Sequence, residues 1–167
     1  NKEKKRSLNN YEPSPIFLYD ASATGKNLIL SNSSKYSNYS TKDMYANTCY
    51  DSIKKVDEFY FSGFGIRPVT NNKENEIHSY IHQKKAYNNA YWNGKTLHFG
   101  DVDNRLFTGM VGEDIVAHEL GHAVVDSHSD SGLSYVSQSG AINESIADIF
   151  AIIMKNSGKN ISSEDIN

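Results

Sequence analysis

The chain has 167 residues, of which 38% are hydrophobic and 22% charged, with a net charge of −3. That length suits one domain with a core of its own, and the negative balance speaks against nucleic-acid or membrane-surface partners, which ask for a basic face. The longest apolar run, residues 149–154, falls far short of the roughly 20 residues of a membrane-spanning helix, and a single cysteine, Cys49, excludes an internal disulfide and a cysteine zinc finger.

Asparagine and serine, 18 and 21 residues, make the chain polar, while 11 tyrosines and 7 phenylalanines still supply large apolar faces. Residues 1–10 carry Lys2, Lys4, Lys5 and Arg6 against Glu3; this solvated run leads to the expectation that residues 1–15 are flexible. No stretch reads as a signal peptide, so a cytosolic chain or the mature part of a secreted one is expected. Two short apolar runs, 16–19 and 28–30, predict a hairpin turning at Thr24 and Gly25. From Asp43 onward Tyr45, Cys49, Ser52, Ile53, Val56 and Tyr60 recur at three and four. This spacing predicts an amphipathic helix that starts at Lys42 or Asp43, stops at Gly63 and Gly65, and turns Cys49 into the core. Residues 76–82 alternate Ile77, Ser79 and Ile81 with His78 and Tyr80, the pattern of a strand. Residues 91–96 predict a hairpin around Asn93-Gly94, with a return strand at 96–99. Two helices follow. One covers 112–126, with Glu113 and Asp114 in its first turn. The other runs from Ser139 or Gly140 to Lys155. Strands precede helices without strict alternation, so the class is α+β.

The chemistry sits on these last two helices. Residues 118–122 read His-Glu-Leu-Gly-His. On a helix, positions i and i+4 share a face, so His118 and His122 can grip one metal ion. Glu119 lies about 100° round the helix, placed to act as a base on water without ligating the metal. Zinc hydrolysis needs this set, because the metal acidifies water and the carboxylate takes the proton. A third protein ligand is required, and two candidates stand open. His128 has the spacing of a metzincin third histidine, but Val125 stands where that pattern needs glycine. On a continuing helix His128 points about 120° away from His122, which favours an exposed place in the loop after it. Glu144 lies on the second helix, with Asp148 one turn on to hold a ligating imidazole. The carboxylate is the better fit.

Residues 118–122, 139–150 and 87–100 together resemble the thermolysin family of zinc endopeptidases, whose motif is H-E-x-x-H followed some twenty residues later by N-E-x-x-x-D. The resemblance implies a twisted, mostly antiparallel sheet packed on helices. It implies zinc held by His118, His122 and Glu144, with Glu119 as general base and Asp148 orienting His118. It further implies that Tyr135 donates to the oxyanion and that Asn89 and Ala90 lie on the edge strand binding an extended peptide or protein substrate. Secretion is implied as well. Asp114 matches an acid of the family's paired calcium site; Lys155 stands where a second calcium ligand belongs, which leaves Glu164 for a single weaker calcium site. The family's second, helical lobe supplies a histidine and an arginine to the reaction. Residues 1–167 are therefore expected to be the zinc-carrying N-terminal lobe, with the C-terminal lobe absent and turnover by the chain alone weak or nil. The rival readings are a zinc-binding module without catalysis and a metzincin-like peptidase using His128.

Overall fold

The computed structural model describes residues 11–22, 27–36, 41–70, 72, 74–103, 109–129 and 136–157. Five strands form one sheet: β1 (Ile16–Asp20), β2 (Asn27–Ser31), β3 (Ile77–Ile81), β4 (Ala90–Trp92) and β5 (Leu97–Phe99), in the spatial order β2-β1-β3-β5-β4. Among the described residues three α-helices accompany it: α1 (Met44–Phe64), α2 (Glu113–His128) and α3 (Ser137–Asn156). The class is α+β, as the sequence indicated.

Within that class the sheet is mixed and not mostly antiparallel. β1 pairs antiparallel with β2 and β5 with β4, but β1–β3 and β3–β5 are parallel. The reason is connectivity. Helix α1 carries the chain from the end of β2 to the far side of β1, where β3 enters opposite in direction to β2 and therefore parallel to β1. The second hairpin then seats its return strand β5 beside β3 and leaves β4 at the sheet edge. Asn93 and Gly94 make that turn as expected, with Gly94 at φ 89° and Asn93 Oδ1 accepting from the amides of Lys95 and Thr96. The Thr24–Gly25 turn lies outside the described residues, but Asp20 faces Asn27 across the two strands it joins.

Alternation places Ile77, Ser79 and Ile81 of β3 in the core beside Ile16, Leu18, Leu97 and Phe99. Helix α1 covers this face with Cys49, Ile53, Val56 and Tyr60. Asp43 caps it by accepting from the amides of Tyr45 and Ala46, and Gly65 ends it in the left-handed conformation. Cys49 is the small core residue that its spacing indicated, and burial pushes its thiol pKa well up.

The segment expected to be flexible as far as residue 15 is held down from residue 11 onward. Asp57, fully buried on α1, accepts from the Tyr11 hydroxyl at 2.8 Å, the Ser14 amide at 2.8 Å and the Ser14 hydroxyl at 2.7 Å. Arg67 lies 3.3 Å from the same carboxylate, donates to the Glu12 carbonyl and stacks over the Phe61 ring. A buried carboxylate needs such partners, and the N-terminal arm provides most of them.

Candidate metal centre and active site

Helix α2 starts as predicted, with Glu113 and Asp114 in its first turn, but runs to His128, two residues past the expected end. Val116, Ala117, Leu120 and Ala123 are buried against the core. His118 and His122 emerge one turn apart, their Nε2 atoms 3.1 Å from each other. Helix α3 brings Glu144 to them: its Oε2 lies 3.4 Å from His118 Nε2 and 3.7 Å from His122 Nε2. One ligand atom from each of the three residues falls within 4.8 Å of the others.

The far nitrogen of each imidazole is held. Asp148 Oδ1 stands 3.0 Å from His118 Nδ1, and Asn143 Oδ1 stands 2.7 Å from His122 Nδ1. Held from behind in this way, each ring turns its Nε2 toward the other and toward Glu144, a place that a shared cation would fill. Two imidazoles and a carboxylate with one side open are a donor set that suits a catalytic zinc ion.

Glu119 points to the other side of this group. Its carboxyl is buried at 7% exposure and accepts from the Trp92 amide at 3.0 Å. Burial pushes its pKa up to about 7, against the lowering effects of His122 and the Trp92 amide. The same tryptophan donates its indole N–H to Asp126 Oδ2 at 2.7 Å, so strand β4 is fastened to α2 at two points. Asn89 and Ala90 border the resulting cleft, of about 270 Å³, together with His118, Glu119, His122 and Glu144. Ala90 begins β4, and Asn89 accepts from the Gly100 amide on the inner side of the hairpin.

His128 is not in a loop. It ends α2, exposed, with Nδ1 3.0 Å from the Val124 carbonyl, and it is not part of the three-residue group. Asp114 faces Lys155, whose ammonium lies 3.2 Å from its Oδ2. Tyr135 and Glu164 lie outside the described residues. Sequence reasoning gave no role to Asn143, although it sits inside the motif beside Glu144. It also missed Trp92 and Asp126, whose contacts reach across 27 and 34 residues and leave no local signal.

A family model of the thermolysin metallopeptidase catalytic domain matches residues 2–126, and a model of that enzyme's alpha-helical domain matches residues 131–167. The chain belongs to the thermolysin family. His118 and His122 fall in the first match and Glu144 in the second, so the three-residue group spans both. Bacillolysin of Bacillus cereus is 36% identical over 122 residues, covering 68% of this chain and 21% of that protein. Thermolysin of Alicyclobacillus acidocaldarius subsp. acidocaldarius is 38% identical over 112 residues, or 66% of this chain and 19% of that one. An extracellular metalloprotease of Pectobacterium carotovorum subsp. carotovorum is 42% identical over 76 residues, 45% of this chain and 21% of that one. The precursor of protealysin, a metalloproteinase from Serratia proteamaculans, matches in structure with a TM-score of 0.74 at 28% identity, over 93% of this chain and 47% of that one. The chain thus spans about a fifth of the length of these curated relatives.

Proposed function

We propose that the enzyme to which this chain belongs hydrolyses internal peptide bonds, with zinc held by His118, His122 and Glu144 and with Glu119 as general base. The observation that carries the reading is the convergence of two imidazoles, each held through its Nδ1, and one carboxylate beside a buried glutamate. Zinc at such a site supplies an acidified water and polarises the carbonyl under attack. Glu119 takes a proton from the attacking water and delivers it to the leaving amine, a role suited to a carboxyl whose pKa is raised toward neutrality. The Trp92 amide holds one of its oxygens, which leaves the other for water. Asn89 and Ala90 at the edge of the sheet align an extended peptide by strand addition, and Tyr135 is the oxyanion donor.

In this reading α3 opens a helical domain, and the exposed Ile149, Ile152 and Ile153 on its outer face pack against the remainder of that domain. The chain alone then has weak turnover or none, and the whole enzyme acts outside the cell. Lys155 neutralises Asp114 in place of calcium.

The test is Glu119→Gln in the full-length enzyme. Peptidase activity is expected to fall by a factor of about 10²–10⁴ while zinc stays bound. Activity preserved in that variant would contradict the assignment of the base.

A further inference from the structure

We infer that Gly121 is a positioning residue for the metal centre: the side chain it lacks sets the spacing between α2 and α3, and with it the place of Glu144 relative to the two histidines. The inference rests on the metal-site reading above. A Cβ at position 121 would stand 2.8 Å from Ala147 Cα, 3.2 Å from Ala147 Cβ and 3.5 Å from Tyr60 Oη. Carbons pack at about 3.5–4.0 Å, so the helices would have to part by roughly 0.7–1 Å. Alanine is the best helix former and glycine among the worst, so this position gives up helix propensity for close approach.

The displacement falls on α3. Nine residues of α2 are buried against three of α3, and Tyr60, fully buried, ties α2 to α1 by donating its hydroxyl to the Ala117 carbonyl at 2.9 Å, so α3 is the helix freer to move. Helix α3 has exposed residues along its outer face. Ala147 lies one turn beyond Asn143 and next to Asp148, and Glu144 is one turn before it, so a shift at this contact moves the ligand and both groups that orient the imidazoles. Glu144 is 52% exposed along its side chain, and its place is set chiefly by the helix that carries it. Metal–ligand distances tolerate only about 0.2 Å.

The test is a double-mutant cycle read as zinc affinity of the 167-residue chain, by competition with a chromophoric chelator, with far-UV circular dichroism recording helix content. Gly121→Ala is expected to weaken zinc binding by about 10–100-fold in the wild-type background. In the Glu144→Ala background the same substitution is expected to cost less, because the ligand it displaces is already gone and only the groups that orient the imidazoles are left to shift. Unchanged affinity in the first background overturns the inference, and so does an equal loss in both. Should Gly121→Ala lose helical signal, Ala147→Val enlarges the same contact from the α3 side. It must show the same dependence on Glu144, and its failure to do so overturns the inference. Equal zinc binding by wild type and Glu144→Ala would instead overturn the metal-site reading, and this inference with it.

Discussion

Helices α2 and α3 contribute to the proposed metal site from opposite circumstances. Nine residues of α2 are buried, among them Glu119 and His122, while α3 buries only Asn143, Ala147 and Met154. The two histidines and Glu119 therefore ride on an element packed into the core, Tyr60 included. Glu144 rides on a helix held along one face, by the Gly121–Ala147 contact and by the groups that reach across to the imidazoles. Two of the three proposed ligands thus sit on the more deeply buried helix and the third on the less buried one.

Leu120 tests that contrast most strongly. It is fully buried on α2, so Leu120→Ala is expected to destabilise the chain by about 2–5 kcal/mol in urea unfolding. A loss well under 1 kcal/mol would mean that α2 is not the fixed partner. On α3 the buried Asn143 matters more than its size suggests. Asn143→Ala frees His122 Nδ1 from its acceptor, and zinc affinity is expected to drop about 10–100-fold. Asp148→Ala is expected to cost less, since its side chain is 66% exposed and water can replace it. An equal loss from both would erase the distinction between the two orienting groups.

The ion pair between the helices ranks lower. Lys155 and Asp114 are both well exposed, so Lys155→Ala is expected to cost less than about 1 kcal/mol. Added calcium is expected to leave the wild-type thermal midpoint unmoved; a clear rise would show that lysine does not take the cation's place. Smallest of all, Ile152→Ala on the exposed face of α3 is expected to stay within about 0.5 kcal/mol in the isolated chain. A larger loss would reveal a partner for that face within the chain itself.

What was legible in the sequence follows the same division. The spacing of His118 and His122 is local, and helical geometry alone brings them together. Glu144 and Asp148 were legible as a pair one turn apart, while His128 stayed a rival expected in a loop, because nothing local showed that α2 continues to it. Contacts across sequence were not. The hold of Trp92 on Glu119 joins an edge strand to a helix, and nothing in residues 90–94 announces it. The parallel pairing of β1 with β3 depends on where α1 delivers the chain, which alternation along a strand does not encode. The clasp of Tyr11 and Ser14 on Asp57 was hidden because a helical aspartate reads as a solvent-facing residue until its partners are seen.

Whether α2 and α3 together make one zinc site is tested most directly by zinc per chain, measured for wild type and Glu144→Ala purified side by side in the same buffer. Close to one zinc is expected in the wild type and little in the variant. Zinc retained in full by Glu144→Ala would contradict that expectation and return the third ligand to another residue.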